Sequence, residues 1–116
     1  MTRREAAWLA DAAAAVAAIR KYQARGSLTD ELVFDAVRMR LVEIGEAVKS
    51  LPTELTGTEP GVPWREIARM RDHLAHHYFD TNRELVERVL ARDLAPLGEA
   101  IRRLATQLSE TDPPSL

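Results

Sequence analysis

Apolar residues recur at steps of three and four along most of the chain, which is the spacing of one buried face of an α-helix. Two rows of this kind fill the first half of the sequence, and two more follow a stretch rich in proline and glycine. We therefore predict four helical regions with one buried face each. The rows consist of Trp8, Ala12, Ala15, Ile19 and Tyr22; Phe34, Val37, Leu41, Ile44, Val48 and Leu51; Trp64, Ile67, Met70 and Leu74; and Val86, Leu90, Leu94, Leu97, Ile101, Leu104 and Leu108.

Capping residues indicate where the first two helices begin and end. Thr2 and Glu5 have the spacing of a capping box, so the first helix should start there. It should end before Gly26, because glycine commonly closes a helix. Ser27, with Asp30 three residues later, predicts the N-cap of the second helix.

Proline and glycine divide the second half of the chain. Residues 52–63 contain three prolines and two glycines, which predicts one substantial loop. Pro63 suits the first position of a third helix, which should run to about His77. Thr81 and Glu84 repeat the capping-box spacing at the start of the last helical region. Pro96 predicts a kink or a helix boundary near residues 93–96.

The pattern predicts an all-α fold, because no alternating strand pattern of useful length occurs. Amphipathic helices joined by short connections pack most simply as an antiparallel bundle of four or five helices. A length of 116 residues fits a single domain, which we place at residues 1–110. Residues 111–116 contain two prolines and are expected to form a disordered tail.

Composition narrows the chemistry that the chain can carry. Absence of cysteine excludes disulfides, thiolate metal sites and cysteine nucleophiles. A net charge of −2 argues against a protein that coats nucleic acid, but it leaves room for a focused RNA site. The first twenty residues resemble neither a signal peptide nor a membrane span, so we expect a cytoplasmic protein with no membrane association.

All three histidines lie within five residues, at His73, His76 and His77, and they follow Arg69 and Arg71. Histidine can exchange a proton near neutral pH, and arginine is a permanent cation suited to a phosphate. Together these groups are sufficient for RNA cleavage without a metal ion or another cofactor. One group removes the proton of a ribose 2'-hydroxyl, and another stabilises the charge that builds on phosphorus.

Helix geometry separates the two central residues of this cluster. Arg71 and His76 are five positions apart and would differ by about 140° on an ideal helix. A single chain therefore does not obviously form the site, whereas a two-fold dimer could bring two arginines and two histidines into one cleft. Asp72, four residues before His76, is placed to orient the imidazole and favour its protonated form. An ordinary surface role for Asp72 remains the alternative.

The segment from Arg71 to Tyr78 resembles the R-x(4)-H-x-Y motif of the HepT toxins, minimal members of the HEPN (higher eukaryotes and prokaryotes nucleotide-binding) superfamily. The resemblance covers nearly the whole chain, and it extends in the same order to three neighbouring segments. These are Ile44-Gly45-Glu46-Ala47, Pro63-Trp64-Arg65-Glu66-Ile67 and Met70-Arg71-Asp72 leading into His76-His77-Tyr78-Phe79-Asp80.

The resemblance implies a dimeric, metal-independent endoribonuclease toxin that acts on RNA, with tRNA as one candidate substrate. It also implies a partner, an MntA-type minimal nucleotidyltransferase antitoxin that transfers AMP from ATP to Tyr78. Carried over residue by residue, Arg71 and His76 become catalytic. The family often has asparagine where this chain has Asp72, which leaves a supporting role for that residue in doubt. His73 and His77 do not belong to the motif.

Several alternatives stay open at this point. The main rival function is a non-catalytic nucleotide-binding or scaffold partner of a nucleotidyltransferase, and a generic helical interaction domain is a third. His73 and His77 have the spacing of two metal ligands but lack a third, so solvated histidines and no metal site are expected. Arg65 and Arg69 could extend a phosphate-binding track or be solvated charges. Trp64 is more simply a core residue than a base-stacking platform.

Overall fold

The computed structural model describes residues 3–75 and 79–111. These ranges contain six helices and no strand, so the predicted all-α fold class is confirmed. Five of the helices have 11 residues or more, and the other has four. They are α1 (Arg3–Arg25), α2 (Glu31–Ser50), α3 (Thr53–Thr56), α4 (Trp64–Leu74), α5 (Phe79–Arg92) and α6 (Leu94–Thr111).

Helix α2 is central to the packing, because its contacts with α1 and α4 are the two most extensive helix–helix contacts among the described residues. Helix α1 also packs on α6, and α6 packs on α5. The predicted apolar rows supply most of the core, and Leu41, Ile44 and Leu104 are fully buried. Trp8, Tyr22, Trp64 and Leu90 lie at its margin and are only partly buried.

No helix in the described ranges has the length and apolar composition that crossing a membrane requires.

The start of α2 differs from the prediction. Asp30, and not Ser27, is the N-cap, and its carboxylate accepts a hydrogen bond from the backbone N–H of Leu32 at 2.9 Å. Ser27 instead begins a turn in which its carbonyl accepts the N–H of Asp30 at 3.1 Å. The turn leaves Asp30 in an extended conformation from which a short carboxylate reaches the first turn of the helix.

The predicted loop at residues 52–63 contains one helical turn, α3. Polar contacts of Glu59 help to attach this loop to the bundle. Glu59 binds the guanidinium of Arg103 on α6 with a shortest distance of 2.7 Å, and the indole N–H of Trp64 donates to the Glu59 carbonyl at 2.9 Å. Pro63 is the N-cap of α4 and not its first residue.

The ends of the last three helices agree with the prediction in part. Helix α4 ends at Leu74, while the predicted end at His77 lies outside the described residues. Helix α5 begins at Phe79, so Thr81 lies inside it and the predicted start there is wrong. The boundary near residues 93–96 is confirmed, because Asp93 separates α5 from α6. Pro96 lies in the first turn of α6, where its missing N–H breaks no helical hydrogen bond. Helix α6 ends at Thr111, and residues 112–116 of the predicted tail lie outside the described residues.

Candidate functional site

Helices α2 and α4 approach each other closely at Gly45. A Cβ atom at this position would lie 2.9 Å from the Cβ of Arg71 and 3.3 Å from the carbonyl oxygen of Ile67. Real side-chain atoms do not come so close, so only glycine permits this separation of the two helices. The contact fixes where the side chain of Arg71 leaves α4.

The guanidinium of Arg71 is held by a carboxylate of the neighbouring helix. Its Nε donates to Oε1 of Glu46 at 2.9 Å, and its Nη1 lies 3.8 Å from Oδ1 of Asp72. The Arg71 side chain is 37% exposed, against 58% for Glu46 and 80% for Asp72. Glu46 binds only the Nε edge, and the terminal nitrogens make no hydrogen bond with another described residue, although Nη1 lies within ion-pair distance of the exposed Asp72. An anion that displaced this loose pair could bind there.

A second arginine closes the C-terminal end of α4. Arg38 of α2 donates from Nη1 to the carbonyl oxygen of Leu74 at 2.7 Å, and its side chain is only 13% exposed. In a longer helix this carbonyl would accept the N–H four residues further along the chain. A cation is also favourable at the negative end of the helix dipole. Arg38 therefore stabilises the end of α4 directly before the segment that contains His76.

The structure describes only some of the predicted site residues. Arg71 and Asp72 lie together at the end of α4, next to Glu46. His76 and Tyr78 lie outside the described residues, so their relation to Arg71 stays a prediction, as does the orienting role of Asp72.

The other residues considered from the sequence are mostly exposed. Arg65, Arg69 and His73 are all exposed on α4. Trp64 is partly buried against the core. Within the described ranges no group of three or more metal-ligating side chains occurs, and His77 lies outside them.

Sequence reasoning did not assign roles to Gly45, Glu46 or Arg38. A signal existed for the first two, since a glycine within an apolar helical row often marks close packing, and a carboxylate beside it can pair with a cation across the contact. Nothing in the spacing of Arg38 distinguishes it from the exposed arginines. Its role follows only from the crossing of α2 and α4.

Comparison with known proteins identifies the same class of protein as the motif. The family described as HepT-like ribonuclease matches residues 9–104. A candidate RNase of Caldanaerobacter subterraneus subsp. tengcongensis is 35% identical over 85 residues, which cover 69% of this chain and 76% of that protein. The "Probable ribonuclease HepT" of Thermococcus cleftensis is 36% identical over 77 residues, which cover 66% of this chain and 70% of that protein.

A shorter alignment has higher identity. A candidate RNase of Methanocaldococcus jannaschii is 48% identical over 59 residues, which cover 51% of this chain and 49% of that protein, so the match spans about half of that relative. No solved structure matches the chain significantly. Because the family match covers most of the sequence and includes Gly45, Glu46 and Arg71, the chain belongs to the HepT-like ribonuclease family.

Proposed function

We propose that the protein is a metal-independent endoribonuclease and the toxin of a toxin-antitoxin pair, with Arg71 and His76 as its catalytic residues. The observation that carries this proposal is the placement of Arg71. Its guanidinium is held at the α2–α4 contact through Nε, one turn from the end of α4, and only a long ion pair with the exposed Asp72 engages its terminal nitrogens. Family membership supports an RNase activity, and the R-x(4)-H-x-Y motif supports this choice of residues.

The proposed reaction needs no cofactor. The imidazole of His76 takes the proton of a ribose 2'-hydroxyl, and the 2'-oxygen attacks the adjacent phosphorus. The bond from phosphorus to the 5'-oxygen breaks, and that oxygen takes a proton from the imidazolium formed in the first step, which returns His76 to its neutral form. Arg71 stabilises the negative charge on the phosphorane oxygens. The products are a 2',3'-cyclic phosphate and a 5'-hydroxyl.

The working form of the enzyme is a homodimer in this proposal, and one face of α2 supports it. Leu32 and Met39 are the exposed large hydrophobic residues among those the structure describes, at 81% and 50% exposure. They are seven residues apart, and Glu46 follows after another seven, so the three lie on nearly the same face of the helix. A two-fold axis at this face would bury both apolar side chains and bring two Glu46–Arg71 pairs together.

Mixing two inactive variants tests the shared cleft. Arg71→Gln and His76→Ala are each expected to be inactive as homodimers. A mixed dimer retains one arginine and one histidine in the cleft, so activity should return after the two proteins are unfolded together and refolded. Activity that does not return, or a monomeric mass by light scattering, would contradict the shared site.

Control by a nucleotidyltransferase is the second part of the proposal. The Tyr78 hydroxyl attacks the α-phosphorus of ATP, pyrophosphate leaves, and AMP stays on the tyrosine. An anionic nucleotide two residues from His76 would fill the cleft and repel an RNA phosphate. With an MntA-type enzyme and labelled ATP, the wild type should become labelled and inactive, whereas Tyr78→Phe should stay unlabelled and active if it folds.

The nuclease activity is tested directly by incubation with RNA. Purified wild type, Arg71→Gln, His76→Ala and Arg102→Gln are incubated with total RNA and with tRNA in excess EDTA. Arg102 is an exposed arginine of α6 and serves as the matched control. Cleavage by the wild type and Arg102→Gln alone supports the proposal. If no protein cuts either RNA, the non-catalytic partner of a nucleotidyltransferase becomes the better account.

A further inference from the structure

Several described arginines are hydrogen-bonded to a carboxylate, whereas others make no polar contact with a described residue. Arg40, Arg92 and Arg103 are hydrogen-bonded to carboxylates, and the bonds to Asp93 and Glu59 are the largest cause of the raised pKa values of Arg92 and Arg103. Arg69 and Arg88 are exposed and make no ion pair or hydrogen bond with another described residue. These two cations are therefore available to an external anion.

Arg69 and Arg88 lie on opposite sides of one groove. The groove runs between α4 and α5 and has a volume of about 380 Å³. Arg69 and His73 line the α4 side, Arg88 and Arg92 line the α5 side, and its floor is apolar. His73 is one helical turn from Arg69 and close to the end of α4, so the groove leads toward the segment that contains His76.

Both acidic residues of this groove lie against the same arginine. Asp93 binds Nε of Arg92 at 3.1 Å, and Glu66 lies 3.8 Å from Nη2 of the same arginine. Arg92 is thus shared between the two carboxylates, and with Arg69 and Arg88 the groove lining carries three cations against two carboxylates, a net charge of +1. A groove with cations on both walls suits a chain of phosphates better than a single small anion.

We propose that this α4–α5 groove binds the sugar-phosphate backbone of the RNA, with Arg69 and Arg88 contacting phosphates from its two walls. The inference rests on the proposed function, since it names where the substrate lies. Arg65, one turn before Arg69 and also exposed, extends the same side of α4. The sequence pointed to Arg65 and Arg69 as candidates for a phosphate-binding track, and the structure adds Arg88 from the opposite helix.

The test measures RNA binding in the His76→Ala background, where no cleavage interferes. The probe is a fluorescein-labelled single-stranded RNA of mixed sequence, followed by anisotropy at several salt concentrations. Arg69→Gln with Arg88→Gln should weaken binding at least ~10-fold and lower the slope of log affinity against log salt by about 1.4, or about 0.7 for each phosphate that is no longer neutralised. Arg102→Gln should match the parent protein. An unchanged affinity and slope in the double variant would overturn the proposal.

RNA binding by the two single variants and by Glu66→Gln provides two further tests of the groove. The single variants should each weaken binding about threefold, so the test stands even if the double variant does not fold. Glu66→Gln removes a negative charge from the groove and releases Arg92 from one partner, so it should tighten binding by about twofold. Weaker binding by this variant would contradict the proposed charge balance.

The experiments distinguish failure of the groove proposal from failure of the nuclease proposal. In the His76-containing protein, the double variant should raise KM with little change in kcat, because it leaves Arg71 and His76 intact. Normal cleavage and binding by the double variant would contradict the groove proposal but leave the nuclease proposal intact. If the wild type binds RNA through these arginines but does not cleave it, the groove proposal is supported and the nuclease proposal is contradicted. If the wild type neither binds nor cleaves RNA, both proposals are contradicted.

Discussion

The Nε of Arg71 donates a hydrogen bond to Oε1 of Glu46 at 2.9 Å, joining α4 to α2 across 25 positions of sequence. Arginine has several rotatable bonds, and this contact selects one direction for its guanidinium. The carboxylate occupies the Nε edge and leaves the terminal nitrogens for substrate. In this account Glu46 is a positioning residue that acts on RNA through Arg71.

Removing the Glu46 carboxylate should impair catalysis more than stability. Both side chains are partly exposed, so the ion pair should contribute less than about 1 kcal/mol to the free energy of unfolding. Glu46→Ala should lower kcat about 10-fold with a smaller change in KM, because Arg71 loses its orientation in the transition state. Glu46→Gln keeps an acceptor oxygen and should restore part of the loss. Equal kinetics for the wild type and Glu46→Ala would contradict the positioning role.

Gly45→Ala should separate α2 from α4. The new methyl group would meet the Cβ of Arg71 at 2.9 Å, and overpacking of this kind costs about 1–3 kcal/mol, partly offset by the ~1 kcal/mol gain in helix propensity. Urea unfolding should therefore show a net loss of stability. Gly98→Ala is the matched control, because its Cβ would meet Val16 at an ordinary 3.4 Å and should be neutral or stabilising. A Gly45→Ala protein as stable as Gly98→Ala would contradict the close contact, because both variants gain the same helix propensity.

Arg38 should matter to the end of α4 although it lies on α2. Arg38→Met keeps the length of the side chain but removes the donor to Leu74, and the loss of a charged hydrogen bond should cost about 1.5–3 kcal/mol. Arg38→Lys retains the charge and one donor, so its loss should be smaller. Hydrogen exchange at the C-terminal turn of α4 should speed up more than exchange in α1. An unchanged exchange rate at the C-terminal turn of α4 in Arg38→Met would show that Arg38 does not stabilise this end of the helix.

The loop between α2 and α4 should become less firmly attached in acid. The hydrogen bond from Arg103 lowers the pKa of Glu59 in the folded protein from its ordinary value of 4.5, against an opposing effect of desolvation. A carboxyl group with a lowered pKa adds stability above its unfolded value and loses that contribution as pH falls through the folded value. The melting temperature of the wild type should thus exceed that of Glu59→Gln near neutral pH.

The pH dependence of the melting temperatures of the wild type and Glu59→Gln tests this prediction. The difference in melting temperature should shrink as pH falls below 4.5 and through the lowered pKa at which the Glu59 carboxylate of the folded protein becomes protonated. Glu84→Gln, a change at an exposed carboxyl of α5, is the control for the loss of one charge. A difference between the wild type and Glu59→Gln that persists unchanged in acid would show that the carboxylate form is not responsible.

The helices could be predicted from the sequence because each has a continuous apolar face. Leu41, Ile44 and Leu104 are buried where the spacing indicated, and the boundary at Asp93 lies where Pro96 indicated. Helix starts were less predictable, since several polar residues compete for each cap. Asp30 is the cap instead of Ser27, since its carboxylate accepts the N–H of Leu32 while the Ser27 hydroxyl accepts the N–H of Thr29 in the preceding turn.

The site was predictable only where it is local in sequence. Arg71, Asp72 and the histidine cluster are neighbours in the chain, so their chemistry could be recognised together. Glu46 and Arg38 reach α4 from 25 and 36 positions away, and their contacts depend on the crossing of two helices. Arg88 likewise faces Arg69 only because α5 folds back along α4.

The central claim, a metal-independent nuclease that uses the 2'-hydroxyl, is tested most directly by the ends of the RNA fragments. Wild-type protein is incubated with RNA in excess EDTA, and the fragment ends are identified by mass spectrometry. We predict 2',3'-cyclic phosphates and 5'-hydroxyls, absent with Arg71→Gln and His76→Ala. Fragments with 3'-hydroxyl and 5'-phosphate ends, or cleavage that EDTA abolishes, would contradict the account.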